Sequence, residues 1–216
     1  PAAHSVNESV SLLHLSVSET TLSGNSAGFG AGVFVDGGTG TIVGSTLQGN
    51  AATIDGGAVY VDQSASVDVS GSTLVSNSAG RDGGGFYNNA TATLTVTETT
   101  VSGNSAVRDG GGLFNEIVAS ATLLNARISA NSATNGGGIN NQDGVVSISG
   151  GSLIANSVTE DGGAIFTSSS GTTTLVDTTL SGNTAARDGG AVRNDGSLVV
   201  TSVNLAGNSA DRDGGA

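Results

Sequence analysis

The chain has 216 residues, with 36 Gly, one Pro, no Cys, Met or Trp, and a formal net charge of −12. That acidic balance argues against nucleic acid and against anionic membrane surfaces, because both need a basic footprint. No run of about 20 apolar residues is present to span a bilayer, so no membrane insertion is expected, and without Cys there is neither a disulfide framework nor thiol chemistry.

The chain opens on Pro1 and reads as processed or cut from something longer. An internal period dominates it. Asn25, Asn50, Asn77, Asn104, Asn131, Asn156, Asn183 and Asn208 recur every 25–27 residues, each inside a copy of one phrase such as TLSGNSA. Taken in chain order, a copy opens with an apolar column eight residues before the Asn, running from Val17 through Ile42, Val69 and Val96 to Val200. A second column, three residues before the Asn, runs from Leu22 through Leu47 and Leu74 to Leu205. The Asn follows, and two residues later a small apolar column runs from Ala27 to Ala210, Val158 alone replacing Ala. In most copies an Asp-Gly-Gly phrase comes next, NGG in the fifth, and after it a fourth column: Val33, Val59, Phe86, Leu113, Ile139, Ile165 and Val192.

The neighbours of these columns are mostly Ser, Thr, Asp or Gly, so the apolar residues alternate with period two in short runs, the signature of strands. Gly, Asn and Asp punctuate the runs too often for helices. Each copy is expected to carry three short strands and three turns, and one copy cannot bury its apolar face alone. Stacked at about 4.8 Å per coil, the columns form one narrow core. The expected fold is all-β: a single right-handed parallel β-helix domain over 1–216, of about eight coils and roughly 38 Å long, with 1–14 as a less regular first coil. Stacked Asn amides are expected to bond one another as a ladder, at a corner where Asn tolerates left-handed backbone angles.

The phrases carried by Leu180, Asn183 and Ala185, followed by Gly189, Gly190, Ala191 and Val192, resemble the repeats of polymorphic outer membrane proteins. They are similar also to related bacterial surface proteins with right-handed parallel β-helix repeats, within the pectin-lyase-like β-helix superfamily. The resemblance covers essentially the whole chain. It implies passenger or stalk regions displayed outside the cell, often adhesive, and offers no catalytic residues.

Three columns are candidates for function. Phe34, Tyr60, Tyr87, Phe114 and Phe166, interrupted by Asn140 and continued by Arg193, each follow a core position, so alternation points them outward as a stripe for a protein partner or for sugar rings. Asp55, Asp82, Asp109, Asp161, Asp188 and Asp213 share one slot, and Arg81, Arg108, Arg187 and Arg212 precede four of them. They read as a turn ladder balanced by Arg, or as Ca²⁺ ligands between coils; no other cofactor is expected. The Thr column from Thr21 to Thr179 has the regularity of an ice-matching face, but Arg127 and Asn204 interrupt it.

A polysaccharide-cleaving β-helix would need a walled groove, and the constant period leaves no long insertion to build one. Asp62 with Asp68, or Asp188 with Asp195, are the available acid–base pairs; His4 and His14 lie in the least regular segment, and sequons stand at Asn7 and Asn89. The expected function is a non-enzymatic, structural or adhesive β-solenoid of the bacterial cell surface or extracellular space. The alternative is a carbohydrate-binding or polysaccharide-cleaving fragment. Expected partners are further copies or adjoining repeats stacked end to end, and surface glycans or a receptor on a host or neighbouring cell. The end-to-end expectation rests on Ala216 falling midway through a copy, while aligning Leu15–Asn25 with Leu94–Asn104 places Pro1 near Gly80, at the same point of the path.

Overall fold

The structure, a computed structural model, describes residues 14–216; His4, Asn7 and nearly all of the expected irregular first coil lie outside the described residues. The described chain is a parallel β-solenoid. Its strands form four parallel sheets, three with eight strands and one with seven. Every strand pairs only with its counterparts one coil before and one coil after.

Sheet A begins with His14–Ser18, Thr39–Val43 and Ser66–Ser70; sheet B with Thr21–Ser23, Thr46–Gln48 and Thr73–Val75. Sheet C begins with Ser26–Phe29, Ala51–Asp55 and Ser78–Ala79; sheet D with Val33–Asp36, Val59–Asp62 and Phe86–Asn88. Four strands per coil replace the three expected. The reason is local: in most coils each apolar column is followed by a residue with positive φ, so the chain turns between columns and no two columns share a strand; after Ile165 and Val192 the turn into sheet A is made without one. Between sheets A and B the turning residues are Glu19, Gly44, Gly71, Glu98, Asn125, Gly150, Asp177 and Ser202. Between B and C they are Gly24, Gly49, Ser76, Gly103, Ala130, Ala155, Gly182 and Gly207. No Asn of the ladder has positive φ; the left-handed corner belongs to the residue before it.

The expected columns pair in register: Leu74 with Leu47 and Val101 in sheet B, Val96 with Val69 and Leu123 in sheet A. Their side chains merge into one buried core that runs the length of the stack. At the C–D corner, Gly110 has φ of 68° and the next residue, Gly111, has no room for a side chain. A Cβ on Gly111 would lie 2.5 Å from the carbonyl oxygens of Gly137 and Ser132, so the Gly pair is required once for its angle and once for close approach.

Candidate functional site

The Asn ladder is the most regular polar feature of the molecule. Each Nδ2 donates to the Oδ1 of the Asn one coil on: Asn25 to Asn50 at 2.9 Å, Asn77 to Asn104 at 2.9 Å, Asn131 to Asn156 at 3.0 Å, Asn183 to Asn208 at 2.8 Å. The second Nδ2 proton goes to a carbonyl of the preceding coil, as from Asn104 to Leu74. The same Oδ1 also accepts the backbone N–H of the preceding coil's Asn, as Asn104 does from Asn77. An interior amide such as that of Asn104 thus uses both donors and both lone pairs, which is what lets it sit buried.

A second ladder escaped the sequence reading. Asn88 donates to Asn115 at 2.8 Å, Asn115 to Asn141 at 3.0 Å, and Asn141 to Thr173 at 3.2 Å, whose hydroxyl meets that of Thr167 at 2.8 Å. Its signal was present two residues beyond the fourth apolar column. The coil before Asn88 places Val61 opposite it, which cannot donate, so the Oδ1 of Asn88 is buried without a partner.

The aromatic column does point away from the main core, yet it is not an exposed stripe. Tyr60, Tyr87 and Phe114 are only 7, 4 and 5% exposed and, with partly buried Phe34, form a separate cluster. In-register strands stack the rings: Phe34 on Tyr60 at 5.3 Å, Tyr60 on Tyr87 at 4.7 Å and 3° between planes, Tyr87 on Phe114 at 5.0 Å. Phe29 packs edge-on against Tyr60. The rings cover one another, which is why an outward column is buried. Stacking also occupies the ring faces that a sugar would need. Burial, with the carboxylates of Asp62, Asp55 and Glu116 nearby, raises the Tyr60 hydroxyl above its ordinary pKa; burial and then Glu116 do the same to Tyr87. The stack stops at Asn140, which is buried between Phe114 and Phe166 with its Oδ1 unpartnered. Beyond Phe114, Ile117 and Val118 form an exposed loop tip, with Val118 held at φ 64°, a costly angle for a β-branched residue.

The Asp column lines the C–D corner. Three of the four Arg clamp the Asp of the coil before their own: Arg81 reaches Asp55 through Nε at 2.9 Å and through Nη2, Arg108 Nε reaches Asp82 at 3.0 Å, and Arg212 Nε reaches Asp188 at 2.9 Å. The same carboxylates accept backbone N–H groups of the following coil, Asp82 N to Asp55 Oδ1 at 3.0 Å among them. Arg187 lies 3.7 Å from Asp161 and 3.0 Å from Glu160. Among the described residues no three His, Asp or Glu come together as cation ligands, and Asp55, Asp82 and Asp188 are already committed to Arg. The geometry gives the Ca²⁺ reading no support.

Not every coil carries the pair: the first has Phe29 and Gly30, Ile54 and Glu160 replace Arg in the second and sixth, and in the fifth Thr134 and Asn135 stand in place of both Arg and Asp. Asp109 is therefore left with the Asn135 amide at 3.0 Å, while its own Arg108 is 3.8 Å away. Burial pushes the Asp109 carboxyl above the usual carboxylate range. At the other end of the column, hydrogen bonding to Arg212 holds Asp188 below it.

The candidate acid–base pairs do not assemble. Asp62 accepts from Gln63 N and from the Asn89 amide at the end of its sheet D strand, whereas Asp68 lies on the outer face of sheet A. Asp188 and Asp195 are bridged by Arg193, at 2.7 and 2.8 Å. Among the described residues, His14 meets the Thr39 hydroxyl, at 2.9 Å.

Residues 177–195 match the family model of the Chlamydia polymorphic membrane protein repeat. That span is similar to a polymorphic-membrane-protein repeat, and it lies within a stack of parallel β-solenoid coils. The matched span runs from the A–B corner at Asp177 through the ladder residue Asn183 and the Gly189–Gly190 pair to the end of the sheet D strand, most of one coil. No curated protein and no solved structure gives a significant match.

Proposed function

We propose that the chain is a non-enzymatic structural and adhesive β-solenoid of the bacterial cell surface or extracellular space, a piece of stalk whose product is length and surface. The observation that carries this reading is the coil-on-coil register: among the described residues each strand continues its neighbour, with a shift between Ala27 and Phe29, and no coil departs from the stack to wall a cleft. The match to a membrane-protein repeat supports a surface location. Coils stack on further coils, in adjoining repeats or in other copies, end to end, and the contact is with protein rather than glycan. The exposed Ile117–Val118 tip beside the ring stack forms the contact point for a receptor. Catalysis is tested by incubating the chain with acidic polysaccharides and assaying reducing ends and unsaturated products; turnover there overturns the reading. Sedimentation and negative-stain microscopy at rising concentration test the stacking, which predicts particles lengthening along the rod axis.

A further inference from the structure

The outer face of sheet A is a flat wall, three outward positions on each of eight five-residue strands. Apart from His14 at its upper edge and Asp68, every outward position is Ser, Thr, Val or Leu. Val43, Leu124, Val145 and Val199 are exposed on it. Like the other three sheets it is parallel with one face turned outward, whereas parallel sheets are ordinarily covered on both faces. The chain carries a net charge of −12, yet this face holds a single carboxylate. The charged side chains gather instead along the C–D corner and the loops between sheets D and A, and Glu19, Glu98 and Asp177 rim the A–B corner.

We infer that sheet A is a lateral self-association face, on which two copies of this chain pack wall to wall. Charge selects the occupant. Two molecules of this charge repel wherever their ridges meet; this wall, with the longest strands of the four sheets, is a broad face on which they approach burying only one carboxylate each, Asp68. In-register columns of small β-branched and hydroxyl side chains suit sheet-on-sheet packing at about 10 Å. Five residues by eight strands gives a wall of roughly 16 by 34 Å, so a pair would bury about 1,100 Å², just enough for a specific but weak contact. A two-fold arrangement sets Thr95 and Thr122, at the centre of the wall, against their counterparts. The acidic rims then face each other in solvent, so salt strengthens the pair instead of weakening it. This contact is lateral and does not depend on end-to-end stacking.

The test is sedimentation of the 216-residue chain at increasing protein and salt concentration, with circular dichroism confirming the fold of every variant. The expected result is a monomer–dimer equilibrium that tightens with salt. Thr95→Glu with Thr122→Glu weakens it about tenfold or more, because like charges are set opposite one another. Thr73→Glu with Thr100→Glu, the same charge change on the outer face of sheet B, leaves it unchanged. Thr122→Cys, in a chain with no other Cys, crosslinks on oxidation, and Thr100→Cys does not. A monomer up to about 1 mM protein, equal weakening by both Glu pairs, or a wall that retains an insoluble polysaccharide while the chain stays monomeric would each overturn the inference. Particles growing only in length would support end-to-end stacking and overturn this proposal.

Discussion

At the scale of single residues, stability rests on buried polar groups that pair from coil to coil, the Oδ1 atoms of Asn88 and Asn140 excepted. Asn104 illustrates it: truncation removes the acceptor for Asn77 and the donor to Leu74 and Asn131 together. Asn104→Ala is expected to cost about 2–4 kcal/mol, while Ser102→Ala, on an outward position, costs under about 0.5, measured by denaturant unfolding. Asp109 works in the opposite direction. Its folded pKa is raised, so the folded state binds the proton more readily than the unfolded chain does. Its contribution to stability therefore falls as pH rises through the window above the ordinary value of 3.8. Asp109→Asn should raise the melting temperature at neutral pH and flatten the pH dependence in that window; an unchanged profile would show that the carboxylate is relieved by other means. Val118 at φ 64° stores strain on an exposed tip. Val118→Asn should stabilise the fold by about 1 kcal/mol, and in the receptor reading it weakens adhesion at the same time.

At the scale of the element, each sheet behaves as a set of columns, and a column tolerates one foreign member poorly. Asn140 interrupts the ring stack of sheet D and leaves a buried acceptor unpaired. Asn140→Phe places a ring between Phe114 and Phe166, whose register it shares. It is expected to raise stability by about 1–2 kcal/mol, combining ring stacking with removal of the orphan acceptor. A loss of stability in calorimetry would mean that the slot between the two Phe rings is too tight for a third. The second Asn ladder ends in the same manner, at Val61, where a polar column runs into an apolar one.

At the scale of the molecule, every contact between strands is with the next coil, so the solenoid is close to one-dimensional and stability is a sum over neighbours. Val200 and Leu205, which continue two core columns, are about half exposed in the last coil, while Leu94, Leu123 and Ile139 in the middle are fully buried. Hydrogen exchange should therefore be fastest in 197–216 and slowest in 86–158. Uniform protection along the chain would mean that the ends are covered, as end-to-end stacking requires, and its dependence on protein concentration would separate that case from a rigid monomer.

What the sequence determined by itself was everything that repeats: the parallel stack, the four core columns, the Asn ladder and the Asp-Gly-Gly corner were legible because a residue type recurring at 25–27 positions meets its own copy in the next coil. The second ladder through Asn88, Asn115 and Asn141 is equally legible, two residues beyond the fourth apolar column. Other features belonged to tertiary structure alone. Strand count depended on where φ turns positive, and residues as different as Glu98, Ala130 and Gly150 occupy those corners. Burial of Tyr60 and Tyr87 depended on ring against ring across coils, whereas alternation reports only which side of a strand a residue takes. The pairing of Arg81 and Arg108 with the Asp of the previous coil, and the isolation of Asp109, depended on side-chain reach between coils. Periodicity fixes which residues are neighbours in the stack; which neighbour a side chain turns toward is settled only by the geometry of the folded coil.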